Sequence, residues 1–189
     1  RRLATGQTTD AFLGSDIMIE DFLGYNGRIK DQQWVYQGSE WLLMPYYRHQ
    51  PPAESADEFK MGSFHGQGNC FPDVSWQLRK VHKLDAIPKN AGHPLSKRSY
   101  YLDAQNFGPA LTKIYDRAGR LWKLGIIGVS DSRYHHPANR KWQSGIADLV
   151  SMIDLQAEHC TTIQLLPRIP KKPFRPNQFT QQYLRARGR

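Results

Sequence analysis

The feature that most constrains this chain is a succession of short apolar-polar alternations, each closed by a turn signal, that fills its second half. In "VSWQLRKVHKL" Val74, Trp76 and Leu78 alternate with Ser75, Gln77 and Arg79, the two-residue period of a strand with one buried face. "KRSYYLDA", "PALTKIYD" and "RLWKLGIIGVS" follow, the last two joined through Asp116, Arg117, Ala118 and Gly119. Gly119 can adopt the left-handed conformation that closes a short hairpin with a bulge, so this pair is expected to be antiparallel. On the strand from Leu121, one face is expected to carry Trp122, Leu124 and Ile126 and the other Ile127 and Val129, so both faces are covered. After the polar "DSRYHHPANRKW" come "SGIADLVSMIDL" and "HCTTIQLL", joined tightly around Gln156 to Glu158. Consecutive strands with little helix between them predict a mainly β meander sheet.

The first half is less regular. "FLGSDIMIEDFLGY" (12–25) mixes large apolar residues with Asp16, Glu20 and Asp21 and is broken by Gly14. A short helix starting after Ser15 or Asp16 would use Asp16 as its N-cap and leave Glu20 away from much of the apolar set. "WLLMPYY" (41–47) reads as a strand whose Pro45 belongs at an edge or bulge. Residues 48–73 are rich in Pro, Gly, Ser and charge without a sustained period, which predicts a long surface loop, an uncommon feature in compact domains and often a functional one. Residues 167–189 begin as a basic, Pro-rich strap and end in a helix, with Thr180 as N-cap and Phe179 placed to pack on Leu184.

A chain of 189 residues fits a single domain with a real core. Its 26 Lys and Arg against 17 Asp and Glu give a formal charge of +9, which draws phosphates, anionic headgroups or acidic partners without naming one. No apolar run approaches the roughly 20 residues of a spanning helix. "RRLATGQTTD" has neither an initiator Met nor an apolar signal core, which suggests the later part of a longer protein.

Sites of chemistry are sparse. Asp16, Glu20 and Asp21 could divide acid and base roles, but capping and solvation explain them more simply. His135 and His136 are neighbours that point apart on an extended chain, and His49, His65, His82, His93 and His159 show no zinc-like spacing. There is no nucleophile elbow, phosphate loop or dinucleotide fingerprint. Positive charge and aromatics could build a nucleic-acid groove, yet Trp76, Tyr100, Tyr115 and Trp122 sit in strand patterns that favour a core. No enzyme activity, cofactor, metal or nucleic-acid partner is therefore expected. Cys70 and Cys160 form no paired motif and are either two thiols or one long-range disulfide, according to compartment.

The order of motifs carries a resemblance over residues 1 to 187. "DAFLGSDIMIEDFLGY", "RSYYLDAQNFGPALTKIYDRAGRLWK", "LVSMIDLQAEHCTTIQL" and "NQFTQQYLRAR" are similar to an uncharacterised bacterial family of outer-membrane lipoprotein-sorting-like proteins, relatives of the periplasmic lipoprotein carriers LolA and LolB and of the sensor RseB. The resemblance implies a curved antiparallel sheet, an unclosed β-barrel with short helices on its concave face, in a single domain from the C-terminal part of a longer exported protein. The 48–73 loop departs from the pattern as an insertion, and no lipid-contacting residue of the carriers maps onto this chain. A periplasmic location, implied in the same way, favours a disulfide between Cys70 and Cys160.

On that basis the chain is expected to be a non-enzymatic periplasmic carrier or accessory protein. It would hold an apolar ligand such as a lipid among Phe12, Ile17, Met18, Phe22, Trp41, Trp76, Tyr101, Tyr115 and Trp122, with an envelope transporter or membrane-associated complex as partner. The alternative is an interaction subunit of a larger envelope assembly, its cavity filled, that docks through the long loop and the basic strap.

Overall fold

Segments with a two-residue period and short turns pair with their chain neighbours. The computed structural model describes residues 8–46, 63–135, 137–165, 167–170 and 172–187. Its strands are β1 (Gln32–Met44), β2 (Phe64–His65), β3 (Phe71–Pro72), β4 (Gln77–Pro88), β5 (Leu95–Asp103), β6 (Pro109–Asp116), β7 (Leu121–Asp131), β8 (Gly145–Asp154) and β9 (His159–Gln164). Seven of them form one antiparallel sheet in the order β1-β4-β5-β6-β7-β8-β9, and β2 pairs with β3 separately. β1 and β9 are its edges and do not pair, so the barrel stays open. Among the described residues α-helix is confined to α1 (Ser132–His135) and α2 (Gln181–Arg187), and none is long and apolar enough to cross a membrane.

The sheet curls. Tyr46, two residues past the end of β1, bridges Val129 of β7 in parallel, and the Val129 amide donates to the Pro45 carbonyl at 3.0 Å. In a flat sheet β1 and β7 would lie about 19 Å apart, four steps of about 4.8 Å, well beyond the reach of two residues. Tyr46 is fully buried at this end with Met44, Val81, Tyr101 and Ala110. Its hydroxyl donates to Asn106 Oδ1 at 3.1 Å and its ring lies under the Arg79 guanidinium.

Local chemistry explains where the elements depart from the alternation. β1 starts at Gln32, well ahead of Trp41, because Gly38 at φ +99° and a register shift between Tyr36 and Ser39 interrupt the period and hide the first half of the strand. In the β6–β7 hairpin Gly119 is left-handed as expected, but Ile114 pairs with Lys123 and Tyr115 with Leu121, which makes Trp122 the extra residue of a bulge. Trp122 consequently leaves the face of Leu124 and Ile126 and packs with Ile17, Met18, Leu95, Ile114 and Met152, a correction to the expected pairing of faces.

The expected N-terminal helix is also corrected. Residues 12–31 form three 3-10 turns, Phe12–Gly14, Ile19–Asp21 and Ile29–Asp31. Left-handed residues, Leu13 and Gly14 and then Leu23 and Gly24, cut the first two short, and the third runs directly into extended Gln32. These turns cover the face of β5 to β9 that carries Arg98, Ile114, Lys123 and Met152.

The opposite face carries Leu124, Ile126 and Ile153 and is covered by residues 63–74. There Cys70 packs on Ile126 and Ile153 and is joined to Cys160 of β9 by a disulfide across a sequence separation of 90. The Ser151 hydroxyl donates to the Cys70 carbonyl. Residues 47–62 of the long loop, with His49, lie outside the described residues, as do His136 and 1–7.

The tail runs as an irregular strap. Asn139 holds it by donating to the Pro167 carbonyl and accepting from the Ile169 amide, both at 2.8 Å. Thr180 Oγ1 accepts from the Tyr183 amide at the start of α2. Phe179 makes an edge contact with Phe174, and Leu184 is exposed.

Candidate functional site

The cross-strand register sets one apolar surface. Thr112 pairs with Gly125, Gly125 with Met152, and Ile127 with Val150, which in turn pairs with Ile163, so all of these residues share a face. The N-terminal turns lie over that face without filling it. They leave an apolar cleft of about 430 Å³, roofed by Phe12, Ile17, Phe22 and Leu23 and floored by residues that include Ile114, Gly125, Ile127, Val150, Met152 and Ile163. That volume lies within the roughly 300–1,000 Å³ range of small-molecule sites. Phe12 and Phe22 meet edge to face, ring centres 5.0 Å apart, a favoured aromatic geometry.

The roof is anchored by buried charge. Arg98 on β5 is 1% exposed. Its Nη1 lies 2.8 Å from Glu20 Oε2, and its Nε donates to Asp21 Oδ1 at 3.0 Å. His93 Nε2 lies 3.1 Å from the same Glu20 oxygen, and Tyr25 donates to Glu20 Oε1 at 3.4 Å. Burial works against the Glu20 carboxylate, but the His93 hydrogen bond and the Arg98 charge outweigh it and hold its pKa below the ordinary value. Burial pushes the Tyr100 phenol upward. Asp21 also accepts the Met18 amide at 2.9 Å, so one carboxylate ties the turn to the sheet.

Asp16 forms a second anchor. It accepts from Thr161 Oγ1 at 2.8 Å and lies 3.1 Å from His159 Nδ1, while Lys123 Nζ donates to the Asp16 carbonyl at 2.6 Å. Asp16 is therefore a tether to β7 and β9 rather than a helix cap, and Glu20 and Asp21 are buried ion partners rather than solvated or purely capping groups. The reason is Arg98: a guanidinium buried on one strand needs carboxylates brought to it. Lys123 lies over the Trp122 ring, and Trp122 Nε1 donates to Asp154 Oδ2 at 2.7 Å. Every acid of the opening segment is engaged structurally, and no group of three or more potential metal ligands occurs among the described residues.

Of the residues expected from sequence to meet a ligand, Phe12, Ile17 and Phe22 line the cleft. Met18 is buried behind them with its sulfur near Arg98, and Trp122 packs on the same core. The other four lie elsewhere. Trp41 and Trp76 are exposed beside the outer strands, Tyr101 belongs to the Tyr46 cluster, and Tyr115 lies under Lys97 Nζ. Alternation explains the last two: Tyr101 pairs with Leu111, two residues from Lys113 and four from Tyr115, and all of these point to the face opposite Thr112 and Ile114. The strand residues of the floor could have been found by following that same period from Ile114 across the sheet.

An unclosed antiparallel sheet with an apolar cleft on one face places the protein among open half-barrels. The chain belongs to the DUF1329 family, described as proteins of unknown function, whose model matches residues 1–185. Two solved structures share the fold. One is a domain from Vibrio parahaemolyticus named for outer membrane lipoprotein sorting, at TM-score 0.58 and 17% identity, over 94% of this chain and 57% of that one. The other is a DUF1329 family protein from Desulfovibrio piger, at TM-score 0.56 and 13% identity, over 97% and 59%. This chain thus spans less than two thirds of the length of either. No curated protein matches it.

Proposed function

We propose that the protein is a non-enzymatic carrier or accessory protein of the bacterial periplasm that holds an apolar ligand, an acyl chain or another lipid, between the N-terminal turns and the sheet. The cleft carries this reading: a folded chain seldom leaves about 430 Å³ of apolar space beside an exposed Leu without a use for it. Affinity would come from apolar area removed from water, about 25 cal/mol per Å². The lipoprotein-sorting name of one structural neighbour and a disulfide suited to an oxidising compartment support the same reading. Native mass spectrometry and solvent extraction of the protein purified from its own host test it. A co-purifying lipid, or saturable binding of a neutral apolar probe, is the expected result, and the absence of both would sink the proposal.

A second reading has its own observation. On β1 and β4, Trp41, Leu43 and Leu78 share one face at 64%, 60% and 63% exposure, next to the edge of β1 that no described strand pairs. An interaction subunit of an envelope assembly would dock there. Pull-down from membranes with Trp41→Ser and Leu43→Ser separates the readings: partner loss with ligand retained favours docking as a separate property, and no partner at all removes it.

A further inference from the structure

The apolar cleft is one end of a longer groove. Leu23, Ile127 and Ala147 line both the cleft and a second pocket of about 250 Å³. That pocket shares Asn106, Ser144 and Gly145 with a third of about 400 Å³ at the end of the sheet. The chemistry changes along the way. The first end is walled by aliphatic and aromatic side chains, while the far end is lined by Gln105, Asn106, Asp131, Arg133, Gln143 and Ser144.

The charges at the polar end cancel among the described residues. Arg133 Nε lies 3.0 and 3.1 Å from the two Asp131 oxygens, and its Nη2 lies 2.5 Å from Oδ2. Asp131 Oδ1 also accepts the Arg133 amide at 2.8 Å. An anionic head would have to compete with a carboxylate already seated in the guanidinium fork. Asn106 Oδ1 already accepts from the Tyr46 hydroxyl and the Gly108 amide, and Gln105 Oε1 from Arg79, so a hydroxyl or amide head would use the amide groups of Asn106 and Gln143 and the Ser144 hydroxyl, and would break no ion pair.

Leu23 stands where the apolar part meets the mixed part. It is 96% exposed, so a ligand lying along the groove would remove apolar area of this side chain from water.

We propose that the groove takes a single-tailed amphiphile with its tail in the apolar cleft and an uncharged, hydrogen-bonding head, such as a glyceryl or other polyol group, at the Asn106–Gln143–Ser144 end. This rests on the carrier reading and adds the head-group chemistry. The test is displacement of a neutral naphthylamine probe from the purified protein by monolauroylglycerol and by laurate, which share a tail, at a pH where laurate is ionised.

Monolauroylglycerol should displace the probe at about tenfold lower concentration. Asp131→Asn keeps an acceptor for the Arg133 amide but removes one negative charge from the guanidinium fork, and should improve laurate by about tenfold. Gln143→Ala, at an exposed position, should weaken monolauroylglycerol by about threefold and leave laurate unchanged; it decides the matter if the Asp131 variant does not fold. Equal displacement by the two amphiphiles, or a preference unmoved by the variants, overturns the head-group assignment while the carrier reading stands. If the probe does not bind and neither amphiphile binds by calorimetry, both fall.

Discussion

The two faces of the sheet are covered by different means. On one, residues 63–74 are fixed by the Cys70–Cys160 disulfide and pack Cys70 directly against Ile126 and Ile153. On the other, residues 8–31 are held through Arg98, Lys123, Thr161 and a set of carboxylates, and beneath them lies the cleft. A covalent tie holds its segment wherever the bond stays oxidised. An ionic tie fixes the position of its segment yet can be released, which suits the proposed entry of a ligand beneath it.

The largest test of this contrast is Arg98→Met. It leaves Glu20 and Asp21 buried without their cation, and removing one partner of such a pair costs about 3–5 kcal/mol. Urea unfolding should record that loss, and limited proteolysis should cut first within residues 8–31. Unchanged protection of that segment would break the comparison.

Replacing both cysteines with Ser should cost about 2–4 kcal/mol, because a long loop in the unfolded chain is no longer closed. Apolar-probe affinity should stay within about twofold, since the cleft lies on the other face. A large loss of binding would mean that the two covers are coupled.

The smallest effect comes from pH. Burial alone would raise the pKa values of Glu20, Asp85 and Asp103, but hydrogen bonds and charge from His93 and Arg98, from Ser99 and Lys97, and from Arg79 respectively hold each below its ordinary value. Groups with depressed folded values contribute stability above their unfolded values, 4.5 for Glu and 3.8 for Asp, and lose it as pH falls through the lower folded values. Melting temperature should therefore be level on this account just above pH 4.5 and fall below it. In the Arg98→Met protein the Glu20 share of that fall should shrink.

The strands from Gln77 onward were legible because half-burial imposes a period of two that any reader can follow. The first half of β1 was not, since the Gln37–Gly38 bulge shifts the period and polar residues fill it. Trp122 shows the limit of periodicity more sharply: one extra residue in a hairpin strand moves the largest side chain in the region to the other face. Helices on the concave face were implied by the resemblance alone, and the ion cluster of the opening segment was illegible. Glu20 and Arg98 lie far apart in sequence, and "KRSYY" gives no local sign that Arg98 points inward while Lys97 points out. Trp41 and Trp76 were expected at the cleft on size and apolarity alone, whereas side-chain direction along β1 and β4 is what decides where they go.

The central claim is that the space beneath residues 8–31 receives a ligand, and Gly125 offers the most direct access to it. A Cβ built there would sit 3.5 Å from Met152 Cε and 3.6 Å from Thr112 Cβ, ordinary contact distances, so position 125 accepts a side chain, and the longer one of Gly125→Leu would extend into the cleft. Titration of a neutral apolar fluorophore into the wild-type and Gly125→Leu proteins should show affinity reduced by about tenfold or more in the variant, with urea unfolding recording that the variant is folded. Unchanged affinity in a folded Gly125→Leu protein would contradict the account, because the probe would then be bound somewhere other than this cleft.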